Sequence, residues 1–503
     1  MHVGSMSLLQ CTLYGFAVIF LGGWVFVWTL HILAIINGKL KLHRKKSVTS
    51  LEVPLQGVSI LKPLTGVDSN LYCNLESFFT MNYPTYELLF CVQEEGCPSI
   101  AQVQGLMKKH PDVAARIFIG GSSIGPNPKI NNMTPGYNAA KYPLIMVSDA
   151  GIRMKEDTLL DMVLCMTPDV GLVHQMPFTC DRAGFAAILE KVYFGTAHAR
   201  IYLCSDLLGV NCATGMSALM RKDILDKAGG MQAFSQYLAE DYFFAKTFVD
   251  RGWKISVSSQ PAWQNSGTCD VVLFQQRLTR WSKLRFAMLP HLIILEPLSE
   301  CMLLGLCVAW STSMLFGWDV AAVYLIHSLI WFLLDWMLLS IVQNGMLPFT
   351  KWEFVIAWSF REFGALYLFC QALWDPTIRW RAGTYRLSWG GQVQEIMSFQ
   401  RHHKPPTLSA NNNNNNNNTN SKNNHSSSNF GGSSICSIGK LRQTISPAGH
   451  GISSHMKNCD AAVAADKDGP DRINGKTAII LADDLDLSSS TNNNNSKSGG
   501  DKC

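Results

Sequence analysis

The sequence predicts an α/β domain with a mainly parallel sheet, held between membrane helices on its N- and C-terminal sides. Charged residues make up only 16% of the 503 residues, against a usual share of about a quarter. Long uncharged apolar runs lie near the N-terminus and again after the centre of the chain. Between them, short β-rich runs alternate with helical stretches, which is typical of α/β domains with parallel strands.

The first apolar run predicts an N-terminal anchor over residues 1–38. Leu8–Ile36 contains no Asp, Glu, Lys or Arg and is longer than the roughly 20 residues that cross a bilayer. A cleaved signal peptide fits poorly, because no basic residue precedes the run and no small-x-small site closes it. Lys39, Lys41 and Arg44 follow at once, so the positive-inside rule predicts a lumenal N-terminus and a cytosolic continuation.

The predicted α/β domain extends over residues 39–290. Strands are predicted at Val58–Leu61, Glu87–Val92, Arg116–Ile119, Leu144–Ser148 and Gly171–Val173. Helices are predicted at Leu71–Met81, Ile100–Lys108 and Thr158–Met166.

A second membrane region is predicted over residues 291–395. Cys301–Trp318 and Val320–Val342 are clear spans separated by one residue, so they form a tight hairpin. A third segment, Val355–Trp374, carries Arg361 and Glu362 at its middle, and charges in lipid are costly. Either this charged pair faces the protein, or the segment lies at the interface or re-enters.

The remaining residues, 396–503, are predicted to be disordered. They include an eight-Asn run, Asn411–Asn418, and are rich in Ser, Asn, Gly and Lys, which bury too little apolar surface to offset chain entropy. The net charge of +5 comes with no long basic block, which argues against a nucleic-acid-binding protein. The fifteen cysteines show neither CxxC pairs nor zinc-ligand spacing.

Asp149 is the first candidate for chemistry. It follows the apolar run LIMVS at the end of a predicted strand, where α/β folds place ligand sites. Mg²⁺ or Mn²⁺ prefers oxygen ligands and is often shared between a carboxylate and a diphosphate. Asp149 is therefore a candidate metal ligand, with a simple strand-end turn as the equal alternative.

Two further stretches are suited to anion binding. In GPNPKINNM, Lys129 and the amides of Asn131 and Asn132 are candidates for phosphate or sugar contacts, although a plain polar loop explains this stretch as well. In QRLTRW, Arg277 and Arg280 share one helix face and suit a diphosphate, with Trp281 available for stacking. A basic amphipathic helix at the membrane surface is the alternative for QRLTRW.

The pair Glu240–Asp241 stands in the stretch LAEDYFFAK, in front of an aromatic run. Neighbouring residues on a helix point about 100° apart, so the two carboxylates do not face each other. One of them can point into a cleft while the other caps the helix or faces water. Two acids at a solvated helix start are the alternative.

The order of these features resembles the membrane-bound inverting glycosyltransferases of the GT-A fold, the nucleotide-diphospho-sugar transferases, whose signature is D, D, D, (Q/R)xxRW. Within them, residues 10–395 resemble the ceramide glucosyltransferase family. The stretches that carry this resemblance are PKINNMTPGY, SDAGIR, VYFGTAH, ATGMSALMRK, AEDYF, NSG, RLTRW, EPLSE and ALWDPTIRWRAGTYRL.

The resemblance implies transfer of glucose from UDP-glucose to the primary hydroxyl of ceramide, with inversion, at the cytosolic face of the Golgi. It implies that Asp149 binds the metal–diphosphate and that Asp241 is the general base. A base suits a single displacement, because it takes the acceptor's proton during the attack. The arginines and tryptophan match the family motif at Arg277, Arg280 and Trp281. The remaining implied roles are donor contact for Lys129 and acceptor contact or support for His198 and Glu240.

One position departs from the family pattern. The first family aspartate should follow the strand LLFCVQ, and this chain has Glu94 there, which leaves the nucleotide contact open. A dolichol-phosphate sugar synthase, a processive polysaccharide synthase and an inactive membrane scaffold are the alternative functions. The short C-terminal membrane region argues against a polymer channel. A homo-oligomer stays open.

Overall fold

The computed structural model describes residues 7–44, 54–267, 269–380 and 383–398. The predicted disordered tail lies outside these ranges from residue 399 onward. The helices are α1 Leu8–Lys41, α2 Leu71–Phe79, α3 Ser99–Lys109, α4 Pro128–Asn138, α5 Thr158–Leu164, α6 Phe185–Tyr193, α7 Ala199–Leu208, α8 Lys222–Lys227, α9 Glu240–Val249, α10 Val271–Met288, α11 Leu292–Leu298, α12 Cys301–Phe316, α13 Val320–Gln343 and α14 Lys351–Trp374. The strands are β1 Val58–Leu64, β2 Tyr86–Val92, β3 Ala115–Ile119, β4 Leu144–Ser148, β5 Ile152–Arg153, β6 Val170–His174, β7 Pro177–Thr179, β8 Ser217–Arg221, β9 Lys254–Val257, β10 Ala262–Gln264, β11 Thr377–Trp380, β12 Gly383–Leu387 and β13 Val393–Ser398.

A seven-stranded sheet in the order β3-β2-β1-β4-β8-β6-β9 forms the centre of the α/β domain. β1, β2, β3 and β4 are parallel neighbours, as are β6 and β9, whereas β8 runs antiparallel to both β4 and β6. The predicted α/β class with a mainly parallel sheet is confirmed. All five predicted strands and all three predicted helices form within a few residues of their expected bounds, while β8 and β9 were not predicted.

The central strands are apolar throughout because both faces of the sheet are covered. Leu88 and Phe90 pack on the face covered by α2, α3 and α5. Leu89 and Cys91, which alternate with them, pack on the face covered by α4, α8 and α9. Two candidate residues, Glu94 and Asp149, follow the carboxyl ends of the parallel strands β2 and β4 and so lie at the same edge of the sheet.

Among the described residues, α1 and α13 are long and apolar enough to cross a bilayer as single helices. α11 and α12 together form a pair bent by 82° that counts as a third candidate span or a re-entrant segment. Trp24 and Trp28 of α1 both donate to Nδ1 of His327 on α13, at 3.1 and 3.2 Å. The N-terminal anchor and the later membrane helices are thus packed against one another.

The charged pair of α14 faces the protein, which is one of the two alternatives that the sequence left open. Arg361 and Glu362 are both buried. Nη2 of Arg361 lies 2.9 Å from Oδ2 of Asp335 on α13, and its Nη1 donates to Oγ1 of Thr196 at 2.8 Å. Trp358 donates to the same Asp335 oxygen at 2.8 Å. These hydrogen bonds and the ion pair offset the free-energy cost of burying the charged side chains.

A three-stranded antiparallel sheet, β11-β12-β13, follows α14 directly. It was not predicted, because this stretch was assigned to the membrane region as far as residue 395. It packs on the α/β domain through a cluster that contains Leu238, Ile378, Tyr385 and Val393.

Candidate active site

Asp149 lies at the carboxyl edge of the central sheet, directly after β4. Its backbone closes a turn with Ile152, whose N–H donates to Asp149 O at 3.1 Å, so the turn interpretation describes the main chain. Its carboxylate does something else: the side chain is 41% exposed and Oδ1 lies 2.9 Å from Nζ of Lys129. The acid is therefore both accessible from the cleft and held by a cation.

Lys129 is a buried cation shared between two acids. Its Nζ lies 2.9 Å from Oδ1 of Asp149 and 3.0 Å from Oε1 of Glu240, and it donates to Gly215 O at 3.2 Å. Burial alone would lower the pKa of Lys129, but the carboxylates of Asp149 and Glu240 outweigh it and raise this pKa well above its usual range. Lys129 is charged at any working pH and links two candidate residues.

The stretch around Lys129 is a helix, and the interpretation of it as a polar loop is wrong. α4 begins at Pro128, a favoured first helical residue, and the side chain of Asn127 accepts from the N–H groups of Lys129 and Ile130. Asn131 and Asn132 donate to the main-chain oxygens Gly125 O and Cys91 O, at 2.8 and 2.9 Å. Their amides shape the site rather than face it.

Glu240 is buried at 4% exposure, so the two acids are not a solvated helix start. Besides its contact with Lys129, its Oε2 accepts from Nδ2 of Asn127 at 3.0 Å. Both of its oxygens are therefore occupied by α4 and its cap. Glu240 fixes the first turn of α9 against α4 and leaves the neighbouring acid, Asp241, to face a different direction.

Asp241 has a partly buried carboxylate with two main-chain donors. Gly215 N donates to Oδ2 at 2.7 Å and Tyr242 N donates to Oδ1 at 2.9 Å. Burial and the charge of Glu240 raise the pKa of Asp241, Lys129 and the two main-chain donors lower it, and the net result is a pKa of about 6. A carboxylate with this pKa is ionised at neutral pH and is a better proton acceptor than an ordinary aspartate.

Gly215 connects the two acids because it lies in the turn before β8, beside Asp149. Asp149 N donates to Met216 O at 2.9 Å, while the N–H of Gly215 holds Asp241 and its C=O holds Lys129. A Cβ at this position would lie 3.1 Å from Cβ and Oδ2 of Asp241. The absence of a side chain here allows the close approach of α9 to the sheet edge.

The arginines of RLTRW share one face of α10, as their spacing predicts. Nη2 of Arg277 lies 3.6 Å from Oε1 of Glu190, whose Oε2 accepts from Arg182 at 2.5 Å. Arg280 forms no ion pair within the described ranges. Burial lowers the pKa of both Arg277 and Arg280, and Arg277 adds to the effect on Arg280. Arg277 and Arg280 are therefore two neighbouring desolvated cations, with Glu190 at 3.6 Å from Arg277 as their paired acid. Such a pair of guanidinium groups suits an anion.

A ring stack connects α10 with the region of Asp241. His198, in a π-helical turn over Phe194–His198, lies 5.9 Å from the ring of Trp281 and 4.6 Å from the ring of Tyr202. Burial lowers the pKa of His198 to about 3, with Arg285 and Arg277 adding to the effect, so its imidazole is neutral. Burial raises the pKa of Tyr202 well above its usual range, and the nearby charge of Asp241 contributes.

Glu94 lies at the same carboxyl edge, in the turn after β2, and is separated from β4 by β1. Its side chain is exposed, and its backbone oxygen accepts from Cys97 N at 3.1 Å. The structure therefore places Asp149, Lys129, Glu240 and Asp241 in one cluster. It places Arg277, Arg280, Trp281 and His198 in a second cluster, with Glu94 on the far side of β1.

The sequence analysis missed several residues that hold these clusters. Lys62 of β1 is fully buried and donates to Asp149 O at 2.7 Å, and burial lowers its pKa to about 7 while Asp149 acts in the opposite direction. Asn127, Glu190 and Gly215 were missed as well. The lysine inside an apolar strand was a signal for Lys62. Glu190 had no such signal toward α10, because its partner Arg277 is far away in the sequence.

The described residues contain no group of three or more His, Cys, Asp or Glu side chains arranged to hold a metal ion. Asp149 supplies one accessible carboxylate, which is the kind of oxygen ligand that Mg²⁺ or Mn²⁺ takes. The site thus fits a metal that takes its other ligands from a bound diphosphate and water.

Carboxylates at the carboxyl edge of an α/β sheet, together with a helix that carries two desolvated arginines, suit a substrate that bears a diphosphate. The sequence profile of glycosyl transferase family 21 matches residues 26–393, and the chain belongs to this family. It is a glycosyltransferase with membrane helices.

Two relatives from Caenorhabditis elegans are similar over most of the chain. Ceramide glucosyltransferase 1 is 44% identical over 399 residues, which cover 79% of this chain and 86% of the relative. Ceramide glucosyltransferase 3 is 46% identical over 376 residues, which cover 74% of this chain and 81% of the relative. Among solved structures, a mannosyltransferase from Pyrobaculum calidifontis in complex with GDP-Man and Mn²⁺ is 16% identical, with a TM-score of 0.43, and the match covers 72% of this chain and 99% of that one.

Proposed function

We propose that the protein transfers glucose from UDP-glucose to the primary hydroxyl of ceramide, with inversion, in glycosphingolipid synthesis. One observation carries the chemistry: Asp241 is a carboxylate with a pKa raised to about 6, held by the main-chain donors of Gly215 and Tyr242. An inverting transfer is a single displacement and needs one base of this kind. The names of the two relatives and the family membership support ceramide as the acceptor and glucose as the sugar.

In this mechanism, Asp241 accepts the proton of the ceramide hydroxyl as its oxygen attacks the anomeric carbon. The bond from that carbon to the diphosphate breaks, and UDP leaves. Glu240 and Lys129 keep Asp241 aimed, because both oxygens of Glu240 are bound to α4 and its cap. Gly215 N supports the carboxylate from the sheet edge at 2.7 Å.

The leaving diphosphate gains negative charge, and Arg277 and Arg280 are placed to compensate it from α10. Lys129 adds a positive charge next to Asp149. A Mg²⁺ or Mn²⁺ ion, when bound through Asp149, supplies further charge compensation at the diphosphate. Glu94 is proposed to contact the uridine half of the donor, and Trp281 is proposed to border the sugar or the acyl chain.

The proposed location is the Golgi membrane, with the α/β domain on the cytosolic face. Val393 N donates to Gln236 O at 3.1 Å, so β13 lies on the same side of the membrane as the α/β domain. The chain between α10 and β11 must then cross an even number of times. With the bent pair α11–α12 taken as one span, it and α13 make two crossings, and we propose that the third segment, α14, does not cross fully.

The direct test of this function is a product assay with the purified chain in lipid micelles. UDP-glucose is offered together with ceramide, with dolichol phosphate, or with no lipid acceptor, and the products are identified by mass. Glucosylceramide with a β linkage, formed only with ceramide, is the expected result. A glucosylated dolichol phosphate or a polymer would replace the proposed acceptor, and no consumption of UDP-glucose would support an inactive scaffold.

A further inference from the structure

The C-terminal sheet β11–β13 contacts the two elements that carry the proposed chemistry. β13 joins the segment before α9: Val393 N donates to Gln236 O at 3.1 Å, and Tyr237 forms an isolated antiparallel bridge with Gln392. These residues lie only a few positions before Glu240 and Asp241. The sheet therefore holds the main chain that leads into the base.

The same sheet is fastened to α10. Gly390 N, in the turn between β12 and β13, donates to Ala287 O at 2.9 Å. At the start of β11, Thr377 O accepts from Nζ of Lys283 at 2.9 Å. α10 carries Arg277 and Arg280, so one small sheet is bonded both to the helix with the arginines and to the segment with the base.

Apolar side chains also pack between the sheet and the two elements to which it is hydrogen-bonded. Leu238 is 6% exposed and packs with Ile378, Tyr385 and Val393 of the sheet. Gly391 lies against both elements at once: a Cβ there would lie 2.8 Å from Cγ of Met288 on α10 and 3.2 Å from the ring of Phe243 on α9. The turn thus fits between the two helices only without a side chain.

We propose that the sheet β11–β13 is a positioning element for catalysis, which sets the distance between the base-bearing start of α9 and the arginines of α10. The residues that do this are Val393, through Leu238 and Gln236, and Gly391, through Met288 and Phe243. None of them touches substrate. Catalysis depends on the sheet because a displacement reaction needs the base and the leaving-group site in a fixed relation.

The turn between β12 and β13 offers a matched pair of substitutions. Gly390 and Gly391 have φ of +87° and +81°, so an alanine strains the backbone similarly at either position. Only Gly391 has neighbours in the way, because a Cβ at Gly390 would meet nothing within 4 Å. Gly390→Ala is therefore the control for backbone strain. Gly391→Ala adds a steric clash of the new Cβ with Phe243 on α9 and Met288 on α10.

The experiment measures kcat and the donor KM of the full chain in lipid micelles. Gly391→Ala is expected to lower kcat about tenfold relative to Gly390→Ala, with a donor KM within about threefold, because misplacement affects the transition state more than binding. Adding Met288→Ala to Gly391→Ala should recover most of the lost kcat, which a general folding defect would not allow. Equal kcat for the two alanine variants would overturn the proposal.

If Gly391→Ala does not accumulate as folded protein, a second pair of alanine substitutions, in β13, tests the proposal. Val393→Ala removes a buried contact with Leu238, while Ile396→Ala changes a side chain of the same strand that is 49% exposed. A lower kcat for Val393→Ala alone supports the proposal, and equal values contradict it.

The proposal rests on the proposed function for the roles of Asp241 and the α10 arginines as well as for its assay, and the two fail differently. A wild type that does not glucosylate ceramide contradicts the function, and the variants are then compared by the acceptor that is used or by UDP-glucose hydrolysis. An active wild type with indistinguishable variants contradicts the positioning role alone.

Discussion

Two charged clusters in this protein lie in opposite surroundings. At the edge of the central sheet, Lys129 lies between the carboxylates of Asp149 and Glu240. Among the membrane helices, Arg361 lies between Asp335 and Glu362. In each cluster one cation contacts two acids, and in the membrane cluster Arg200 also lies 3.5 Å from Asp335. Asp149 is 41% exposed whereas Asp335 is 0% exposed.

The difference shows what a charged cluster can be used for. The membrane cluster joins α13 and α14 to the π-helical turn through Thr196, and the side chains of its two acids are fully buried. The sheet-edge cluster keeps one acid accessible and stands next to a third carboxylate, Asp241, whose pKa is raised to about 6. We therefore expect the first to affect stability and the second to affect turnover.

The largest effect is expected for Asp241→Asn. The amide cannot accept the acceptor's proton, so kcat should fall on the order of 10²- to 10⁴-fold while UDP-glucose still binds. Donor binding by calorimetry and turnover by product formation test both parts. Near-normal turnover would show that Asp241 is not the base.

Arg361→Met should break the other cluster instead. Glu362 would lose its paired cation, and Asp335 would keep Arg200 and His31 as its basic neighbours. Breaking a buried pair costs about 3–5 kcal/mol, so the yield and thermal stability in detergent should drop. Lys246→Met is the matched control, because Lys246 and Asp250 form an exposed pair at 2.8 Å that is worth less than ~0.5 kcal/mol. A stable Arg361→Met protein with lowered kcat would place the membrane cluster in the chemistry.

Arg280→Ala should act mainly on turnover. The diphosphate gains charge as it leaves, so loss of one guanidinium should lower kcat about tenfold or more and change the donor KM less. Arg251→Ala, in the exposed turn after α9, is a suitable control. A loss confined to donor affinity, with unchanged kcat, would contradict this role.

The smallest effect is expected for Glu94→Asp. Both side chains can accept a hydrogen bond from the nucleotide, so the donor affinity should change less than about tenfold, or ~1.4 kcal/mol. Glu94→Ala should weaken it more, because the acceptor is lost. An inactive wild type that gains activity only with Asp at this position would instead support the scaffold function.

The sequence predicts the parts of this protein that depend on local pattern. The strand Leu144–Ser148 and the position of Asp149 follow from an apolar run that ends in an acid. Long-range pairs do not follow from such patterns. The sequence around Arg361 does not predict its contact with Asp335. The sequence around Glu240 does not predict its contacts with Lys129 and Asn127. The prediction of a loop around Lys129 was wrong because proline was interpreted as a helix breaker. Pro128 is instead the first residue of the helix α4.

The C-terminal sheet was missed for a related reason. Its strands follow α14 directly, so they were included in the predicted membrane region, which extended to residue 395. Their partners, Leu238 and Gln236, lie more than a hundred residues earlier in the chain. Only the fold shows that this flank is packed on the site.

The pH dependence of kcat/KM in the wild type and in Glu240→Gln tests the central claim, that Asp241 is a base tuned by the sheet-edge cluster. Asp241 must be ionised to accept a proton, so activity should be lost as the pH falls through about 6. Glu240 raises this pKa by its charge, so Glu240→Gln should move the acid limb to lower pH, while Asp223→Asn at the surface should not. An acid limb that stays in place in Glu240→Gln would contradict the assignment.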